Sequence, residues 1–220
     1  DLASLRELNE GDDYLLVVPA LTEDLVAEVA EDVVELDWNV KNEKSMFFED
    51  LEINAFRVEH YGYVNWGDRN DKRGFNGYLI SSTKNNKHIA FFGDTSYSRY
   101  RDEEGVILKK PLSINWRDKF NPEILTAGID LCIIPIGESY YYWNHISPEK
   151  AVVLAKELNC KKLLPIHYST FILTPPENEK TNPAEKLRHL LGHGSKLVKC
   201  QSARYKSVFP EIGVTCKLPE

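Results

Sequence analysis

Ile89-Ala90-Phe91-Phe92-Gly93-Asp94-Thr95 is the stretch on which the fold turns. Four apolar residues run without interruption into Gly-Asp-Thr. A short unbroken apolar run of this kind suits a strand buried on both faces, because neither side of its pleat has a polar set to offer water. Gly93 lets the chain turn tightly at the strand end and lets another group come close to the backbone. Asp94 then stands where a buried strand opens onto the sheet edge, the end at which layered α/β proteins gather their chemistry. A lone Gly-Asp-Thr also fits an aspartate that merely caps a turn. The weight of Asp94 therefore depends on what accompanies it downstream.

Two further apolar runs have the same character. Ile129 to Ile136 ends at Gly137, and Leu163 to Ile166 ends at His167. Between them Ser147-Pro148-Glu149 is a helix start: a capping hydroxyl, proline at the first helical position and an acid in the first turn. Ala151, Val152, Leu154, Ala155 and Leu158 give that helix its apolar face. Upstream, Leu2 to Leu8 has helical spacing, Tyr14–Pro19 and Val33–Trp38 suit strands, and Thr22 to Ala30 suits a short helix. Phe47-Phe48 and Leu51–Val58 suit a hairpin that delivers Glu59-His60 at its end. Gly77–Ser82 returns as a strand. Residues 61–74 form a loop rich in glycine, aromatics and charge, and 96–118 is a polar stretch. Asn121-Pro122 and Asn182-Pro183 each open a helix. Strands alternating with helices and no splitting linker predict one α/β domain over 1–220. The hairpins of the first half predict a mixed sheet.

Composition sets the outer limits. Hydrophobic residues make up 42% of the 220-residue chain, enough for a substantial core. A net charge of -7 argues against a basic surface for nucleic acid. No apolar run reaches the length of a membrane span. Cys132, Cys160, Cys200 and Cys216 are widely spaced with no paired motif, so free thiols and a reducing, cytoplasmic setting are expected.

His60, Asp94 and His167 all fall at strand ends, and His145 falls just before a helix cap. Imidazole and carboxylate groups converging on one sheet edge suit zinc or another borderline divalent ion. Each alone has a structural reading: His60 as a polar residue entering a loop, His167 as a hydrogen-bonded core histidine, His145 as a helix-entry residue. His88, His189 and His193 have no such context and are expected to be surface or packing residues.

Taken in order, Gly93-Asp94-Thr95-Ser96-Tyr97, Asp130 through Gly137, His145-Ile146-Ser147-Pro148-Glu149-Lys150-Ala151 and Pro165-Ile166-His167-Tyr168-Ser169-Thr170-Phe171 resemble the metallo-β-lactamase superfamily. More narrowly, they resemble its N-acylphosphatidylethanolamine-hydrolysing phospholipase D branch, which shares its wider pattern with L-ascorbate-6-phosphate lactonase-like proteins. The resemblance implies an α/β, αββα sandwich of mixed sheets and a dizinc hydrolase. Asp94 would bridge two metals, His60 would bind one, His167 the other, and His145 would lie on the substrate side as a catalytic group. Tyr97, Tyr141 and Trp143 would line the substrate pocket. The substrate would be a phospholipid or small molecule, with peripheral contact to a membrane. A lactonase would instead show a small polar pocket with a phosphate-binding Arg69 or Arg99, and an inactive binding relative is a third expectation. Three features depart from the pattern. Ser96 and Ser169 replace glycine, Glu138-Ser139 replaces Ala-Tyr, and the superfamily's His-x-His-x-Asp-His motif is absent. In the superfamily that motif precedes a helix like the one at Asp1-Leu2, so the chain is expected to be truncated just after it.

Overall fold

A computed structural model describes residues 2–9, 14–38, 44–60, 73–101, 107–137, 145–168, 183–191 and 216–217. Helix α1 (Leu2–Asn9) is followed by β1 (Leu16–Pro19) and β2 (Val33–Leu36), which pair in parallel as a two-stranded sheet. A hairpin of β3 (Ser45–Phe48) and β4 (Leu51–Arg57) continues through β5 (Asn76–Ser82) into β6 (Lys87–Phe91), each antiparallel to the last. After β7 (Arg99–Arg101), β8 (Ile107–Leu112) and α2 (Pro122–Ala127), strand β9 (Leu131–Pro135) lies parallel to β6. Helix α3 (Pro148–Glu157) then leads to β10 (Lys162–Ile166), parallel to β9. Helix α4 (Pro183–Leu190) and the short β11 (Cys216–Lys217) complete the described elements.

The main sheet has the order β11-β10-β9-β6-β5-β4-β3. It is mixed, as the hairpins of the first half lead one to expect. The three apolar runs form its parallel centre, β6, β9 and β10. Their burial alternates: Ala90, Cys132 and Ile134, on one face, have no solvent exposure, while Ile89, Phe91, Leu131 and Ile133, on the other, are partly exposed. The helix starts also form as their capping residues dictate. The Ser147 side chain accepts a hydrogen bond from the Lys150 amide at the head of α3, and Asn121 accepts one from Glu123 at the head of α2.

The core reaches directly under the Asp94 turn. Phe92 is fully buried; its ring meets Phe56 edge-on at 5.2 Å and Trp116 at 5.6 Å, while Phe56 lies 5.0 Å from Phe120. Each such ring contributes about 1.5–3 kcal/mol by leaving water. The Trp116 indole is satisfied by donating to the Tyr97 carbonyl at 3.1 Å. A rigid aromatic floor therefore underlies the residues that follow Gly93.

Three expectations fail. Thr22–Ala30 contains only a single helical turn, Glu23–Leu25. The crossover between parallel β1 and β2 is short, and one Glu35 carboxylate oxygen takes both the Thr22 and Glu23 amides at 2.7 Å. The polar stretch 96–118 holds the β7–β8 hairpin, whose charged residues hid its strand character. Cys132 and Cys160 are not free thiols but a disulfide. Parallel pairing sets Leu163 of β10 opposite Cys132 of β9, which brings Cys160, just before β10, to a Cα separation of 6.0 Å. The 28-residue sequence gap gave no sign of this, and the bond removes the argument for a reducing compartment.

Candidate metal centre

Strand direction decides which ends share an edge. β6, β9 and β10 are parallel neighbours, so Gly93-Asp94, Gly137 and His167 emerge together. β4 is antiparallel to β5 and β5 to β6, so β4 runs the same way as β6 and delivers His60 to the same edge. The ladder continues one residue past the strands. Phe92 N–H donates to the Ile133 carbonyl and Ile136 N–H to the Ile166 carbonyl, both at 3.0 Å. Two left-handed residues then turn the chain out of the sheet, Gly93 at φ +60° and His167 at φ +57°. Such a conformation is unusual for a residue with a side chain and tends to mark a functional position.

The result is one carboxylate among three imidazoles. His145 Nδ1 lies 2.7 Å from Asp94 Oδ1, His60 Nε2 lies 2.9 Å from Asp94 Oδ2, and His167 Nε2 lies 3.5 Å from the same oxygen. The His145 and His167 rings are 4.8 Å apart. The Asp94 side chain is 33% exposed and that of His167 38%, so the cluster opens to solvent. Burial opposes the ionised carboxylate, but hydrogen bonds and positive charge from His145 and His60 outweigh it and hold the Asp94 carboxyl well below its usual range. An ionised Asp94 only accepts hydrogen bonds, which assigns the ring protons to His145 Nδ1 and His60 Nε2.

This donor set fits a divalent ion of the zinc type. With metal–ligand bonds of about 2.0–2.1 Å, the edges of a tetrahedron are about 3.3 Å. The Asp94–His60 and Asp94–His167 separations bracket that value. One ligand atom from each of Asp94, His145 and His167 already lies within 4.8 Å of the other two, so only a small contraction is needed.

The structure thus brings His60, Asp94, His145 and His167 together. His145 stands as close to Asp94 as the residues expected to be ligands, which blurs the division between metal side and substrate side. Tyr97, expected to line the pocket, binds through its hydroxyl to α3. Its hydroxyl donates to Glu157 Oε1 near the end of α3 at 3.0 Å, and the Lys150 ammonium lies 4.8 Å over its ring. Burial and the Glu157 carboxylate push the Tyr97 phenol up to about 12. Tyr141, Trp143 and Arg69 lie outside the described residues. Arg99 Nε donates to Glu59 Oε1 at 3.3 Å, and Arg57 meets the same oxygen at 3.3 Å. His88 is a packing residue, 5% exposed, with Nδ1 2.9 Å from Ser81 Oγ.

Comparison with known proteins extends the resemblance along nearly the whole chain. The N-acyl-phosphatidylethanolamine-hydrolyzing phospholipase D of Saccharomyces cerevisiae, a mitochondrial protein, is 25% identical over 225 aligned residues, covering 98% of this chain and 41% of that protein. A UPF0173 metal-dependent hydrolase of Bacillus cereus is 36% identical over 64 residues, covering 29% of this chain and 26% of that protein. The chain therefore spans less than half the length of these curated relatives. The metallo-β-lactamase fold protein YhfI from Bacillus subtilis superposes at a TM-score of 0.46 and 12% identity, over 78% of this chain and 60% of that one. No family model matches the chain. The resemblance to the yeast phospholipase D runs along the whole sequence and not along its motifs alone.

Proposed function

We propose that this chain carries part of the metal centre of a metal-dependent hydrolase, and that its substrate is a phosphodiester of the N-acylphosphatidylethanolamine kind. The observation that carries the hydrolase reading is the Asp94 carboxylate with imidazoles of three separate chain segments within 2.7–3.5 Å. The phosphodiester rests on the yeast relative, whose similarity runs the length of the chain.

Asp94, His60, His145 and His167 would hold the ion, zinc being the one that suits three nitrogens and an oxygen. When bound, such an ion supplies Lewis acidity: it acidifies water and draws charge from the oxygen of the group under attack. The side chains do the remainder. Asp94 stays ionised at neutral pH and fixes the rings on either side of it. His145 is oriented by the contact of its Nδ1 with Asp94 Oδ1. The left-handed turns at Gly93 and His167 aim their groups over the sheet edge and away from the core.

A soluble ester or lactone is the second reading, and one observation favours it. The exposed aromatic pair Phe47 and Phe48, 68% and 44% exposed, sits at the β3–β4 tip. That tip is at the opposite end of β4 from His60, about 30 Å along the chain direction. Those side chains are remote from a lipid bound at the centre.

Purified protein stripped with chelator and titrated with Zn²⁺ tests the reading. Hydrolysis of N-acylphosphatidylethanolamine vesicles, of bis(p-nitrophenyl) phosphate and of a sugar lactone is then compared. Zinc-dependent cleavage of both phosphodiesters is the expected result. Lactone turnover alone would select the second reading. Turnover that survives chelation, or absence of zinc binding, would overturn both.

A further inference from the structure

His60 faces a geometric difficulty. β4, which leads to it, and β6, which leads to Asp94, are not neighbours; β5 lies between them. Two strand spacings separate the ends by about 9.6 Å. Yet His60 Nε2 reaches within 2.9 Å of Asp94 Oδ2. His167 stands equally two strands from Asp94, across β9, where ladder hydrogen bonds continue past the strand ends; on the β5 side the end of β4 is held by different bonds.

We infer that Thr95 is a positioning residue that sets His60 against Asp94, its hydroxyl clamping the chain of Glu59 to the turn after β6. The inference rests on the metal-centre reading above. Glu59 N–H donates to Thr95 Oγ1 at 2.9 Å, and Ser96 N–H donates to the Glu59 carbonyl at 3.1 Å. The Thr95 hydroxyl in turn donates to the Ser96 carbonyl at 3.1 Å. Thr95 is fully buried, so water cannot replace its hydroxyl in these bonds. Both polar groups of the Glu59 backbone are thereby spent on the segment next to Asp94, one residue before His60. Val58, 2% exposed, pins the chain from the other side by packing in the core. His60 belongs to no strand, and these bonds on the residue before it fix the height of its backbone over β5. Asp94, His145 and His167 are placed by other means: the β6–β9–β10 ladder and the cap of α3. Loss of the Thr95 hydroxyl should therefore be felt through His60 and not through the other three.

The test is a Zn²⁺ affinity cycle by competition with a chromophoric chelator, with circular dichroism to verify folding. Thr95→Val keeps the shape, removes the acceptor and leaves the Glu59 amide buried without a partner. It should weaken zinc binding about 10–100-fold, the usual cost of losing a group that orients a ligand. Thr95→Ser keeps the hydroxyl and should stay within about threefold. In a His60→Ala background Thr95→Val should have no further effect. Wild-type affinity in Thr95→Val, or an equal loss in the presence and absence of His60, would overturn the assignment. If Thr95→Val does not fold, Thr95→Ala carries the same cycle. Failure of the underlying reading looks different: Asp94→Asn and His167→Ala would then titrate like wild type, and the assignment would fall with it.

Discussion

Gly137→Ala is the substitution that probes the centre through backbone alone. Gly137 follows β9 and faces the end of β10. A Cβ built there would lie 1.9 Å from the His167 carbonyl oxygen and 3.1 Å from its carbonyl carbon. An ordinary carbon–oxygen contact is about 3.3 Å, so the two chains must part by about 1.4 Å. Neither atom belongs to a flexible side chain that could swing aside. Overpacking of this kind costs about 1–3 kcal/mol. For a chain of this size that lowers Tm by about 4–8 °C at the middle of the range. The displaced residue carries an imidazole that must sit within about 0.5 Å of its place for a metal site to close. Zinc affinity should therefore fall more than about tenfold, in step with lost histidine ligation. Gly128→Ala is the control. Its Cβ would meet the Asn159 carbonyl at 2.8 Å with φ at +82°, but it lies before β9, at the far end of the strand. Gly128→Ala should lower Tm and leave zinc binding unchanged. Differential scanning calorimetry and chelator competition on the three proteins decide the matter. Wild-type Tm and affinity in Gly137→Ala would refute the close approach of β9 and β10 at the site.

Closing the Cys132–Cys160 loop, with its 28-residue separation, should stabilise the fold by about 3.5 kcal/mol on the chain-entropy account, so Cys160→Ala should lower the denaturation midpoint accordingly. Peptide mapping that finds both thiols free would contradict the bond. Asp130 sits 2.8 Å from Lys87 Nζ and 3.2 Å from Lys161 Nζ and accepts the His88 amide; burial works against its ionisation, but these bonds prevail and lower its pKa to about 2. A carboxyl depressed below its ordinary 3.8 contributes stability above that pH and loses it as pH falls towards 2, so wild type should lose about 1 kcal/mol more than Asp130→Asn across that window, the other depressed carboxyls acting alike in both. Urea titrations at several pH values measure the difference, and parallel curves would dismiss it. Tyr97→Phe removes the bond to Glu157 and should cost about 0.5–1.5 kcal/mol; ultraviolet titration should show two phenols ionising near 12 in wild type, Tyr97 and Tyr78, and one in the variant.

What the sequence made legible follows from how local the cause was. Ile89–Phe92, Ile129–Ile136 and Leu163–Ile166 declare themselves as strands because each is a short, nearly continuous apolar run bounded by turn residues. Ser147-Pro148 and Asn121-Pro122 mark helix starts because the cap is satisfied within three residues. The β7–β8 hairpin was hidden because its arginines and lysines lack the apolar alternation that marks a half-buried strand. The disulfide was hidden because it depends on which strand lies beside β9, a fact that no local pattern holds. The partner of the Tyr97 hydroxyl was hidden for a related reason: only the packing of α3 shows that it is Glu157.

The same distinction explains why the site residues were legible and their arrangement was not. A ligand at a strand end is a local property, visible in Gly93-Asp94 and in Ile166-His167. The distance between two ligands is a property of strand order. In the order β10-β9-β6-β5-β4 both His167 and His60 stand two strands from Asp94, one across β9 and the other across β5. On the β9 side the ladder runs on past the strand ends, and on the β5 side the buried hydroxyl of Thr95 holds the chain of Glu59 to the turn after β6. Thr95 was read only as the tail of a motif because a threonine after aspartate is unremarkable in any turn. Its significance appears once the sheet shows which two chain segments it joins. A motif of this kind therefore encodes two things at once: the ligand itself, Asp94, and the fastening that brings a distant ligand, His60, up to it.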